Sequence, residues 1–441
     1  MPTETRSSTT AKRLYYDSPI LEFTAHITDI HLVAKEPDAP ADSAQLWQIA
    51  LDRTAFYPEG GGQPCDIGLL IATAPSGTTL EIPVERVEED ETGEVWHYVR
   101  KPLTSGTGIS GAVDPDRRTD HEQQHSGQHL LSAVFLRELN ARTVSFHLGA
   151  ESSTIDLALP ESTDRISDED LRRVEESANR IIYENRSLIT HWVERPLAEQ
   201  MLARGDLRKL PPLEGPFRIV QMQGIEFNAC GGTHVQTTGA IGSILLRRVE
   251  KVRQGWRVEF VCGLRAIRSA RRDFRVLSEV AGGLSISASD IPTRVTSLVA
   301  EIKHANKERQ KLLSELADTE AYQLDARFVP GALIEAGYND RDVHFAKRLL
   351  NGLAAKGRGA VICIGDGATG SVFILRPPNA SFHAGDLVKS YLKDIPSEEG
   401  VRGGGTAEFA QILNLRIAPL ARQRIADAIK RLCNLKGDTA P

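Results

Sequence analysis

"DHEQQHSGQHLLSAVF", residues 120–135, places His121, His125 and His129 four apart and then turns apolar. Residues four apart lie one turn above each other on a helix, so the three imidazoles stack along one face. The run "LLSAVF" begins directly after His129 and sets that end of the helix in a core. Metal-holding imidazoles need partners, and the candidates lie at "NACGGTHV", residues 228–235, where Cys230 and His234 flank Gly231, Gly232 and Thr233. HxxxH on a helix with CxxxH on a loop gives an N/S donor set suited to zinc, which takes imidazole and thiolate at about 2.0–2.3 Å in tetrahedral geometry. Each half alone has a plain reading: HxxxH is often a satisfied or surface pair, and a lone cysteine a small hydrophobe. Together, with glycines that let the loop fold against the helix, they point to zinc. A zincin would carry Glu directly after its first His; here Ser126 follows His125. His121 is the surplus member, either a ligand in place of one of the others or a contact one turn away.

Outward from this helix, the pattern predicts an α+β chain. Short alternating runs such as "AHITDIHLVAK", "LWQIALDRT" and "EVWHYVRK", split by Gly, Pro and Asp, predict a small β-barrel over residues 20–115. Residues 1–19 read as a flexible tail. Residues 116–262 mix helices and strands: "TVSFHLG", "STIDLAL" and "LITHWVE" read as strands, and "SDEDLRRVEESANRIIYENR" as an amphipathic helix with Ser167 and Asp170 spaced as a capping box. Residues 263–325 form a helical or coiled-coil connector, with Val295, Leu298, Ile302, Ala305, Leu312 and Leu316 as its seam. Residues 326–441 alternate helices with the hairpin-like "AVICIGDGATGSVFIL" and predict a C-terminal α/β domain. Its glycine loop, Gly403, Gly404 and Gly405, lacks the Lys and Ser/Thr of a P-loop, which argues against ATP.

Composition excludes several classes. The chain of 441 residues is 41% hydrophobic and 25% charged, an ordinary globular balance, and no apolar run approaches the roughly 20 residues of a membrane span. The five cysteines have no framework spacing and the N-terminus no apolar signal core, so reduced thiols and a cytoplasmic protein are expected. A net charge of -6 argues against a generic nucleic-acid binder. The segment from Arg247 to Arg275, which includes Arg248 and Arg253, nevertheless concentrates arginine. It reads either as a solvated strand edge and helix face or as a phosphate-contacting stripe.

"HSGQHLL" and "CGGTHV", preceded by "FYPEGGGQPCDIG", closely resemble the editing domain of alanyl-tRNA synthetases over residues 20–262, and the long helix with "RGGGTAEFAQ" is similar to the DHH-associated domain that ends those enzymes. The chain starts at the editing barrel, so the resemblance is to freestanding alanyl-tRNA editing proteins of the AlaX type in their long form. That resemblance implies an ATP-independent hydrolase that deacylates mischarged seryl-, and also glycyl-, alanine tRNA without aminoacylating it. It implies one Zn2+ per chain held by His125, His129, Cys230 and His234, with Cys230 a ligand thiolate and not a covalent nucleophile. Gln63 would position substrate or water, and Thr54 would meet the serine hydroxyl. Gly60, Gly61, Gly62, His121, His147, Arg247, Arg248 and Arg253 would contact substrate or tRNA, and the connector and C-terminal domain would support a homodimer. Two other readings stand beside it: a non-catalytic zinc protein that binds tRNA, and a deacylase for another tRNA, since threonyl-tRNA synthetases carry a related domain.

Overall fold

In the computed structural model, which describes residues 10–16, 19–33, 45–161, 163–212, 215–253, 255–365, 369–393, 401–416 and 418–433, period-two burial runs through the N-terminal strands. Phe23, Ala25 and Ile27 alternate inward along Glu22–Leu32, as Ile82 and Val84 do along Thr79–Glu89. Alternation of this kind gives each strand one apolar face, and closing the sheet buries all of them together. The result is the expected small barrel, closed in the order Glu22–Leu32, Trp47–Leu51, Val95–Val99, Thr79–Glu89, Gly68–Thr73 and Gly108–Val113. Most of the expected tail lies outside the described residues. The described part of it is not a loose tail: Lys12–Arg13 pairs in parallel with Arg53–Thr54, and Ala11 and Tyr15 are buried.

The chain leaves the barrel into helix α1, Pro115–Leu139. Asp114 caps it by accepting from the Arg117 backbone N–H, proline opens its first turn, and Asn140 closes it in the left-handed conformation with φ 52°. Leu130, Leu131 and Phe135 are fully buried, each worth about 1.5–3 kcal/mol relative to exposure. They pack against an antiparallel sheet in the order Ile244–Val252, Gly255–Cys262, Ser153–Ala158, Arg142–Leu148. Helix α2, Asp168–Tyr183, covers the same core and starts with the expected capping box, Ser167 and Asp170 bonding reciprocally. A second sheet, Leu188–Val193, Phe217–Met222 and Glu226–Ala229, carries helix α3, Arg195–Arg204. This unit, Met1–Glu279, ends within helix α4, Gly263–Leu284.

The second unit, Val280–Pro441, contains helices α5 (Ile291–Ala326), α6 (Val343–Ala355), α7 (Ala384–Lys393) and α8 (Ala418–Cys433). Its mixed sheet runs Ile334–Tyr338, Ala360–Gly365, Thr369–Leu375, Phe409–Arg416, Arg402–Gly405. Val361 and Cys363 face the layer of α7 and α8, while Ile362 and Ile364 face that of α5 and α6, so the sheet is buried on both sides. Two expectations differ. Gly403–Gly405 form an edge strand paired with Phe409–Arg416, not a loop, because their backbone completes the sheet ladder. The α5 seam is not buried: Val295, Ile302 and Leu312 are 45%, 60% and 64% exposed, and α5 packs instead through Ala317 and Ala321 near its end. No helix among the described residues is long and apolar enough to cross a membrane.

Candidate metal centre

Helix α1 and the loop after Glu226–Ala229 bring His125, His129, Cys230 and His234 together, with their ligand atoms all within 4.8 Å of one another. Cys230 Sγ lies 3.4 Å from His125 Nε2 and 3.4 Å from His234 Nε2. Zinc bond lengths place neighbouring tetrahedral N and S ligands about 3.5 Å apart, so the donor set fits that ion. His121 lies one turn outside this set, so it is not the alternative ligand.

The outward bonds of the three imidazoles fix which nitrogen faces inward. His125 Nδ1 lies 2.8 Å from Gln63 Oε1, His234 Nδ1 lies 3.1 Å from Ser126 Oγ, and His129 Nδ1 faces the Asn228 amide at 2.9 Å and Glu226 Oε1 at 3.4 Å. With Nδ1 engaged outward, Nε2 is the nitrogen that each ring turns to the cluster, as metal-ligating histidines require. Electrostatics agree. Burial alone would raise the Cys230 thiol, but His125, His234 and the hydrogen bonds to His125 and His129 outweigh it and hold the group well below its usual value. Burial lowers His234 to about 3 and so keeps it neutral. For His129, burial is overcome by hydrogen bonds to Cys230 and Glu226, which push it up to about 10, so taking a metal at Nε2 means giving up a proton there.

Gln63 joins the barrel to the centre. Its Oε1 also accepts from the Thr233 backbone N–H at 3.1 Å, and its Nε2 donates to Thr233 Oγ1 at 2.8 Å. It is held by the tight turn in which Gly60 and Gln63 exchange backbone hydrogen bonds. Gly62 within that turn has φ 83°, and a Cβ there would stand 2.8 Å from the Phe146 ring. Gly232 is required more strictly, since its Cβ would meet the His125 ring at 2.1 Å. Arg218 clamps the loop by donating to the carbonyls of Cys230 and Gly232 at 2.8 and 2.9 Å. The barrel motif reaches α1 a second way: Asp66 is buried against Arg118, which also donates to Ala55 O at 2.6 Å. Removing one partner of such a buried pair costs about 3–5 kcal/mol.

Other expected site residues are placed as follows. Thr54 is fully buried in the barrel, its Oγ1 2.8 Å from His97 Nε2 and accepting from the Phe56 backbone N–H at 3.1 Å. Burial lowers His97 to about 4, so it is neutral; its Nδ1 donates to Ile49 O at 3.0 Å and its Nε2 accepts from Thr54. His147 is exposed, while its neighbour Phe146 faces His125 with ring centroids 6.0 Å apart. Arg247 pairs with Asp273, Arg248 with Glu250 at 3.0 Å, and Arg253 is exposed. Gly403–Gly405 belong to the second unit. Sequence reasoning missed Ser126, Arg218, Glu226 and Asn228. Of these, only Ser126 and Asn228 carried a signal, lying inside the two metal motifs.

A family described as threonyl and alanyl tRNA synthetase second additional domain matches residues 217–258, the strands and loop that carry Cys230 and His234. A family described as tRNA synthetases class II (A) matches residues 3–117, which include the barrel. The chain is 31% identical to an alanine–tRNA ligase of Pyrococcus abyssi over 438 residues, 96% of this chain and 44% of that protein. It is 31% identical to that of Archaeoglobus fulgidus over 431 residues, 95% of this chain and 44% of that protein. The chain thus spans less than half the length of these relatives. Among solved structures, RecJ of Thermus thermophilus aligns with 33% of this chain and 21% of its own at 20% identity, with a TM-score of 0.23, too slight a likeness to define a fold.

Proposed function

This chain is an alanyl-tRNA synthetase-related protein, and from that premise we propose that it hydrolyses the ester joining a wrong amino acid, serine or glycine, to alanine tRNA. The observation that carries the reading is the convergence of the barrel turn, α1 and the Cys230 loop on one donor set, with Gln63 bonded to both His125 and Thr233. A synthetase pocket for alanine cannot strongly reject a side chain that adds a hydroxyl or lacks a methyl, so a second hydrolytic sieve is needed.

His125, His129, Cys230 and His234 would hold zinc, which when bound supplies Lewis acidity and an anchor for the substrate's polar groups. The chain's own residues do the rest. Gln63, Ser126, Asn228 and Glu226 orient the imidazoles, and Arg218 fixes the loop. Thr54 is the candidate for selecting serine: its proton is committed to His97 and one lone pair to Phe56 N, which leaves a second lone pair for a serine hydroxyl on a side chain that the fold itself buries fully. Alanine offers no such donor and leaves that acceptor unpaired. A homodimer through α5 belongs to the same proposal, since Val295, Ile302 and Leu312 stand exposed. Deacylation of seryl-, glycyl- and alanyl-charged alanine tRNA tests the reading; loss of serine and glycine with alanine retained supports it.

A further inference from the structure

The N-terminal segment, far from the metal ligands in sequence, reaches both pieces of chain that shape their site. Lys12–Arg13 fixes its base to the barrel as a short parallel strand, and Arg13 donates to Glu89 Oε1 at 2.7 Å and to Gly93 O at 3.2 Å. One turn of 3-10 helix follows, Leu14–Tyr16. Tyr15 is buried and meets Tyr57 edge to face, with ring centroids 5.4 Å apart and planes at 79°. Tyr57 Oη donates to Gly60 O at 3.0 Å. Tyr15 thereby leans on the turn that holds Gln63, and Gln63 in turn holds His125.

Tyr16 serves the other loop. Its ring meets Trp192 edge on at 5.7 Å, and the Arg218 guanidinium carbon lies 5.3 Å from its centroid. Within about 6 Å a guanidinium is drawn to the negative face of an aromatic ring. The same guanidinium donates to the carbonyls of Cys230 and Gly232, and to Thr190 Oγ1 at 3.4 Å. Tyr16 Oη accepts from Arg13 at 3.1 Å, and a Cβ at Gly231 would stand 3.8 Å from it. The Tyr15 and Tyr16 rings also meet each other, centroids 4.7 Å apart. A continuous line of rings therefore runs from Tyr57 at the glycine turn to Trp192 beside the Cys230 loop.

The Cys230 loop supplies two of the four donors and contains Gly231 and Gly232, which let it fold against α1 but do not stiffen it. A metal site needs its donors held to within about 0.5 Å, so something rigid must brace such a loop. Aromatic rings suit this, because few rotatable bonds have to be fixed. We propose that Tyr16 is a positioning residue of the metal centre: with Tyr15 it braces the Cys230 loop against the glycine turn, and it acts on the ligands through Arg218. The inference rests on the donor set of the proposed function holding zinc and does not depend on deacylation.

The test is zinc affinity of the full chain, by competition with a chromogenic chelator, combined with the visible spectrum of the cobalt-loaded form. Tyr16 is only partly buried, so Tyr16→Leu keeps apolar bulk there while removing the ring. It should lower zinc affinity on the order of 10-fold and alter the cobalt bands, which report the geometry at Cys230. Tyr16→Phe retains the ring and should match the parent in both. Arg218→Met should lower affinity about 10- to 100-fold, and adding Tyr16→Leu to it should cost nothing further, because both act along one path. The proposal is overturned if Tyr16→Leu binds zinc with parent affinity and bands, or if Tyr16→Phe loses as much as Tyr16→Leu. It is equally overturned if the two losses multiply in the double variant, or if Tyr16→Leu fails to fold, which would make the residue one of general stability. A parent chain that takes up no zinc would remove the donor-set reading and this one together. A chain that behaves as expected but deacylates nothing would refute only the deacylase reading.

Discussion

Gln63 Oε1 lies 2.8 Å from His125 Nδ1, a bond that ties the end of a barrel turn to a helical residue sixty-two positions later. It determines which nitrogen of His125 faces Cys230. The barrel therefore shapes the donor set without contributing a ligand. Gln63→Leu keeps the side chain's bulk but removes that acceptor. We expect zinc affinity to fall about 10- to 100-fold, measured by competition with a chromogenic chelator, with little change in the circular dichroism spectrum. Parent-like affinity would leave Gln63 without an orienting role.

Metal content checks the donor set itself. The purified chain should carry one zinc per cluster, and Cys230→Ala with His234→Ala should abolish stoichiometric binding by elemental analysis. Full occupancy in that double variant would move the metal elsewhere.

Thr54→Val removes a hydroxyl at nearly constant volume. If its remaining lone pair meets serine, seryl-tRNA hydrolysis should lose about 1–3 kcal/mol of transition-state stabilisation, and glycyl-tRNA much less. Equal losses in kcat/KM on both substrates would confine Thr54 to the barrel, where it bonds His97.

Stability should respond to pH through Glu122. Burial, reinforced by Asp66 and opposed by Arg118, pushes its carboxyl up from 4.5 to about 7. Between those values the folded chain holds a proton that the unfolded chain has released, so this group's contribution to stability falls as pH rises through the window. Glu122→Gln removes the dependence. Its advantage over the parent should grow from pH 4 to pH 8, by at most about 3 kcal/mol, in urea unfolding at each pH. An equal difference at both ends would contradict the shift.

Much of this architecture is legible in the sequence because it follows periodic rules. Alternation revealed the barrel strands, four-residue spacing stacked the histidines on α1, and Ser167 with Asp170 announced the start of α2. The bonds that orient the imidazoles were not legible. Glu226 and Arg218 act across chain distances that no local period encodes, and an isolated polar residue in a strand looks the same whether or not it reaches a ligand. The α5 seam shows the opposite failure: heptad-like spacing names an apolar face but not what covers it. Gly403–Gly405 looked like a loop because glycine is rare in strands, yet they form an edge strand beside α7 in which a Cβ would clash at two of the three, Gly403 with Leu392 at 2.7 Å and Gly405 with Phe409 O at 2.1 Å.

The most direct measurement follows deacylation of alanine tRNA charged separately with serine, glycine and alanine, by the zinc-loaded parent chain and by the Cys230→Ala variant. The account predicts rapid loss of serine and loss of glycine, retention of alanine, and strongly reduced rates in the variant. Hydrolysis of alanyl-tRNA as fast as seryl-tRNA, or no hydrolysis of any of the three by a fully zinc-loaded chain, would contradict it.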